Sequence, residues 1–229
     1  MDIAYQVAIW LPALVIAIVF HEVSHGWVAN ALGDPTAKEL GRLTPNPIKH
    51  VDPIGTVVLP LILAITKAPI FGWAKPVPVR AERLRHPRRD MVLVALAGPG
   101  INLLLAFVTA LVLGLVAGGW ASAPAELAPA GIELFLARLL VAFISINVFL
   151  ALFNLIPLPP FDGGHVVEGA LPRRWVPAWQ RLGRFAFPIL IVLLLVLPMI
   201  SPSLSVVARI IQPPAQALTG WYLAIAGLA

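Results

Sequence analysis

Cysteine is absent from the 229 residues, which excludes disulfides, thiolate nucleophiles and every Cys-ligated metal site. Charge is scarce: Asp, Glu, Lys and Arg make up 12% of the chain, about half the share found in soluble proteins. Hydrophobic residues make up 59%, and the mean hydropathy is +0.91. A soluble fold of this length has no interior able to hide that much apolar surface, so the solvent is lipid. A basic leader with a small-residue cleavage site is missing too; Met1-Asp2 runs straight into apolar sequence, and the first segment is expected to be retained. No repeat with a period of about 20–50 residues stands out, nor the inverted repeat of a transporter.

What is present is a series of apolar stretches, at residues 3–32, 54–66, 91–118, 132–156 and 185–200, with an apolar tail at 204–229 interrupted by Gln212-Pro213-Pro214. The second stretch has 13 residues. As a helix it reaches only about 20 Å of a roughly 30 Å hydrocarbon core. The expected fold is therefore all-α and polytopic, with about five to six transmembrane helices. A re-entrant, partly β-like element is expected between the first and the next full span. Fourteen of the 16 basic residues lie in three loops, at 38–49, 67–89 and 173–184, while residues 119–131 carry none. The positive-inside rule places those three loops in the cytoplasm and runs the first helix inward. It also accounts for the net charge of +5 without a nucleic-acid partner.

The sharpest local signal is His21-Glu22-Val23-Ser24-His25. On a helix His21 and His25 share a face and can hold one metal together, with Glu22 beside it as general base. Two imidazoles and a carboxylate are expensive inside an apolar helix, so a functional reading is the default. A two-histidine zinc needs a third protein ligand. Asp162, His165, His50, Asp52 and Glu168 are the candidates. Asp162 lies in the run Asn154-Leu155-Ile156-Pro157-Leu158-Pro159-Pro160-Phe161-Asp162-Gly163-Gly164. There the prolines stop the preceding helix and the glycines let the backbone turn back into a crowded site.

These two motifs, with Gly33-Asp34-Pro35-Thr36-Ala37-Lys38, Gly41-Arg42-Leu43-Thr44-Pro45-Asn46-Pro47, Phe71-Gly72-Trp73-Ala74-Lys75-Pro76-Val77-Pro78-Val79 and Ala97-Gly98-Pro99-Gly100-Ile101-Asn102, resemble the compact bacterial branch of the site-2 protease family of intramembrane zinc metalloproteases. The resemblance spans residues 20–164. It implies one zinc ion on His21, His25 and Asp162, with Glu22 as catalytic acid/base and Asn154 near the scissile carbonyl. It implies a single membrane-embedded metalloprotease domain over 1–229 without the PDZ or CBS domain of larger members. The implied substrate is a membrane-anchored protein cut within or near its transmembrane segment. The implied location is a bacterial inner membrane, multi-pass, with the site toward the cytoplasm.

A metal-binding membrane transporter without protease activity is the rival reading. It would want acidic and His groups along a path through several helices, whereas the polar groups here cluster at one depth. Gly98-Pro99-Gly100 with Asn102 reads as close helix packing. His50 and Asp52 read as loop structure or pocket lining, and His86 as solvated surface. Hydrolysis in lipid also needs an unwound substrate. Part of residues 41–79, centred on 57–63, is expected to offer it an edge strand. Substrate identity and oligomeric state are not written in these residues.

Overall fold

A computed structural model describes residues 2–65, 73–121 and 131–228. The loop expected outside the membrane, most of it at 122–130, and the segment 66–72 with Lys67 lie outside the described residues.

Three helices form the body: α1 (Ile3–Ala31), α2 (Pro87–Ala121) and α3 (Gly131–Asn154). Each is long and apolar enough to cross a membrane. α1 starts on Asp2, whose carboxylate accepts the Ala4 N–H. Its first half exposes Ile3, Val7, Trp10, Leu11 and Ile16, an apolar face suited to lipid. The three helices pack on one another. Small residues allow the close approach: Ala13 and Ala17 of α1 meet Ile146 of α3, and Ala106 and Ala110 of α2 meet Ile144 and Val148. Without a hydrophobic drive between helices in lipid, such small contacts supply the packing.

The C-terminal part adds α4 (Asp162–Ala170), α5 (Val176–Gly183) and α6 (Gln212–Ile225). α4 lies against α2, and α6 against α2 and α3. The apolar tail is thus part of the core: Ala215, Tyr222 and Ala226 are buried there, and the Tyr222 hydroxyl donates to the Leu103 carbonyl. Arg173–Gly183, which includes α5, and Pro188–Ile200 are bent by 62° to one another, a broken fourth span or a re-entrant loop.

The all-α membrane fold agrees with the expectation from sequence. The span count reached from the described residues is three, or four with the bent pair, against about five to six expected. The difference lies where prolines interrupt the apolar runs. No strand occurs among the described residues. The short stretch expected to be partly β-like is a helical turn, Pro53–Val58, followed by the helix Leu59–Ile65. Asp52 explains it: its carboxylate accepts the N–H groups of Ile54 and Gly55, and Pro53 at the first position presets the helical φ. No edge strand can therefore run along 57–63. The non-helical backbone near α1 is instead a strap at residues 73–80. Its Trp73 and Lys75 N–H groups donate to the Gly55 and His50 carbonyls.

Candidate metal centre

His21 and His25 lie on the C-terminal half of α1, where Val23, Ser24 and both imidazoles are buried. α2 crosses them at Gly98. A Cβ on Gly98 would sit 2.5 Å from Cε1 of both rings and from Nε2 of His25, so only glycine permits this crossing. α2 also sets the direction of the rings. Nδ1 of His25 stands 2.7 Å from the Val94 carbonyl oxygen, which can only accept. Nδ1 of His21 stands 2.6 Å from Oδ1 of Asn102. The amide of Asn102 is oriented by its other end, because Nδ2 donates to Ala17 O and to Asn147 Oδ1. Asn147 in turn donates to the Phe143 carbonyl. Donor and acceptor accounting thus puts the proton on Nδ1 of both histidines and leaves both Nε2 lone pairs for the site.

Asp162 arrives from the other side as the first residue of α4, reached through the proline-rich return after Asn154. Carboxylates are favoured at a helix N-terminus. Gly163 follows because any Cβ there would strike the carbonyls of Leu155 and Ile156 on the return segment. Oδ2 of Asp162 lies 3.2 Å from Nε2 of His21 and 3.5 Å from Nε2 of His25. Ionised carboxylate is the form that binds metal. Oδ2 is itself buried with no hydrogen-bond donor, a costly state for an anionic oxygen unless a cation completes it. Neighbouring ligands of a tetrahedral zinc, at about 2.0–2.2 Å from the ion, stand about 3.3–3.6 Å apart. The separations above are of that size, so two imidazoles and one carboxylate fit zinc in both chemistry and spacing.

Among the described residues His21, His25 and Asp162 are the grouping able to hold a metal. The other candidate ligands are engaged elsewhere. His50 directs Nε2 to the Thr44 carbonyl, Asp52 caps the turn at Ile54, and Glu168 accepts from Gln180. His165 is exposed and lines a cavity of about 380 Å³ with Phe161, Glu168 and Trp179. Glu22 is half-buried on α1, and its Oε2 accepts the N–H of Val77 at 2.8 Å. Asn154, at the end of α3, donates Nδ2 to the Leu150 carbonyl of its own helix. Sequence reasoning gave Asn102 to packing and passed over Asn147. Two signals pointed to them: Gly98 and Asn102 share a helix face at i, i+4, and both amides interrupt apolar helices.

Outside the centre, Asp34 ties the end of α1 to the strap. It is 1% exposed, accepts from Thr36 N and Oγ1, and takes the Arg80 N–H at 2.6 Å. Burial pushes its carboxyl up, yet these bonds, with the charge of Arg83, hold it below the usual carboxylate range.

The chain resembles known proteins at two levels. The family model for peptidase family M50 matches residues 122–197, the part that carries Asn154 and Asp162. "Putative zinc metalloprotease YwhC" of Bacillus subtilis is 42% identical over 159 residues, covering 69% of this chain and 67% of the relative. "Putative zinc metalloprotease Rip2" of Mycolicibacterium smegmatis is 31% identical over 201 residues, 87% of this chain and 68% of the relative. No solved structure matches the chain.

Proposed function

This chain belongs to peptidase family M50, the site-2 protease family of zinc metalloproteases, and within it we propose the following reading. The protein is a multi-pass membrane hydrolase that cuts a peptide bond within or near the transmembrane segment of a membrane-anchored protein. His21, His25 and Asp162 hold the zinc, Glu22 is the acid/base, and Asn154 serves the scissile carbonyl. The observation that carries the reading is the convergence of two Nε2 atoms on an Asp162 oxygen that has no donor, inside apolar helices. A bound zinc supplies Lewis acidity and makes water acidic enough to attack near neutral pH.

The protein groups do the rest. Asn102 and Val94 fix the tautomer and the direction of both imidazoles, so neither ligand has to reorient when metal or substrate arrives. Glu22 follows His21 directly and takes a proton from the attacking water at its carboxylate, then returns it to the leaving amine. The Asn154 amide keeps one N–H beyond the bond to Leu150, available to a developing oxyanion. The basic loops that contain the strap and α5 face the cytoplasm of the cell membrane, and the site opens toward that side. The apolar helix Pro53–Leu63 exposes Ile54, Leu61 and Ile62 and dips into the bilayer beside the site as the re-entrant element.

The test is Glu22→Gln. In detergent, with a dye–quencher-labelled transmembrane peptide of Ala, Leu and Gly as probe, the variant keeps one zinc per chain and loses cleavage. Cleavage at the wild-type rate would refute the assignment. In cells, cytoplasmic fragments of membrane proteins should accumulate only with Glu22 intact.

A further inference from the structure

Residues 73–80 pass over α1 at Glu22 as a strap fixed at many points. Its N–H groups at Trp73 and Lys75 go to Gly55 and His50, and that of Arg80 goes to Asp34. Between these anchors, Nη2 of Arg42 donates to the carbonyls of Lys75 at 2.9 Å and Pro76 at 3.4 Å. Arg42 is only 8% exposed. The Pro76 carbonyl and the Val77 N–H belong to one peptide group. That group therefore has a guanidinium on its oxygen and the Glu22 carboxylate on its hydrogen. A peptide dipole aligned between a cation and an anion strengthens both bonds.

The local sequence is built for this. Lys75-Pro76-Val77-Pro78 holds two prolines, so Val77 owns the one N–H of residues 76–78. Each proline also forces the residue before it into extended backbone. Packing completes the seat: a Cβ on Gly26 of α1 would meet Leu43, and also Cγ1 of Val77 at 2.9 Å. Glu22 thus has one oxygen held, while Oε1 has no hydrogen-bond donor among the described residues.

We propose that the Pro76–Val77 peptide, gripped by Arg42, is the positioning group for the general base: it fixes Oε2 of Glu22 and leaves Oε1 as the oxygen that handles the proton. The inference rests on Glu22 being the base. It adds that a strap far along the chain, not the helix alone, sets where the base points. A carboxylate on a long side chain rotates freely unless one oxygen is tied, and a misplacement of about 1 Å can cost about 100-fold in rate.

Val77→Pro removes the N–H while keeping the extended backbone; Val77→Ala removes the side chain and keeps the N–H. With the same labelled Ala/Leu/Gly peptide, Val77→Pro should lower kcat by about tenfold to 100-fold, with KM within about twofold and zinc content unchanged. Val77→Ala, which loses the packing and keeps the N–H, should lose less kcat than Val77→Pro by at least about threefold. Arg42→Gln should lower kcat in the same way as Val77→Pro, and Arg42→Lys should restore part of the loss. Wild-type kcat in Val77→Pro would overturn the proposal. So would faster cleavage, which would make the strap a plug, or equal losses in the proline and alanine variants, which would make the role packing alone. If Val77→Pro does not fold, Arg42→Gln decides: a kcat loss at constant KM supports the proposal, and wild-type kinetics overturns it. An active Glu22→Gln would instead remove the reading beneath it.

Discussion

Gly98→Ala puts the architecture of the metal centre to its most severe test. The added methyl would lie 2.5 Å from Cε1 of His21, from Cε1 of His25 and from Nε2 of His25. Ordinary contact for a Cβ begins at 3.4 Å, so something must yield by roughly 0.9 Å. A ring at the end of a side chain could normally swing away. Here it cannot do so freely, because Nδ1 of His21 is held by Asn102 and Nδ1 of His25 by Val94, both on the helix that carries the new methyl. Either α2 retreats from α1 or the rings break those bonds. Retreat costs about 1–3 kcal/mol of packing. Ring movement displaces the Nε2 atoms by several times the roughly 0.2 Å tolerance of metal–ligand distances. Zinc affinity should fall by at least 10–100-fold, the usual effect of losing a ligand's orienting partner, and cleavage should fall with it. The assay is a zinc competition titration of purified protein in detergent, with circular dichroism to show that the helices persist. Wild-type affinity in Gly98→Ala would mean that the two helices do not cross at the metal site and that the centre described above is misassembled.

Other perturbations separate the parts. Asn102→Ala frees the His21 ring without crowding it, so zinc affinity should drop by about 10–100-fold with little change in fold, read by the same titration. Asp34→Ala leaves the buried Thr36 hydroxyl and Arg80 N–H without an acceptor and should cost about 2–3 kcal/mol in detergent unfolding. Because the Asp34 carboxyl is held below its unfolded value, its contribution is present above about pH 4 and is lost as pH falls through the lowered native value. Unfolding midpoints of Asp34→Asn should accordingly change less than those of wild type on acidification. Chelating the metal should lower the wild-type unfolding temperature and leave His21→Ala unmoved, since stabilisation by a ligand at 100 times its Kd is about 2.7 kcal/mol.

The chemistry was legible in the sequence because its spacing is local. His21 and His25 need only helical periodicity to share a face, and an aspartate after three prolines can only sit on a chain turning back. The orientation of those groups was not legible. Asn102 is 81 residues from His21 and Asn147 a further 45 from Asn102, and neither separation leaves a mark in composition or period. The misreading of residues 57–63 as strand has a similar origin. A short run of β-branched and apolar residues favours no single structure, and one capping carboxylate at Asp52 decides for helix. Hydropathy senses apolar length alone and does not see the 62° bend between Arg173–Gly183 and Pro188–Ile200.

α2 performs three tasks on one face. Val94 and Asn102 turn the imidazoles, while Gly98 between them makes room for the rings they turn. Asn102 is held in turn by the Ala17 carbonyl of α1 and by the buried Asn147 amide of α3, so the histidine half of the centre is preformed. The remaining groups come from connecting segments: Asp162 on the return after α3, and the Val77 N–H on the strap before α2. Such a division suits a reaction in lipid. Both imidazoles sit on a long apolar helix, while irregular chain supplies the Asp162 carboxylate and the Val77 N–H.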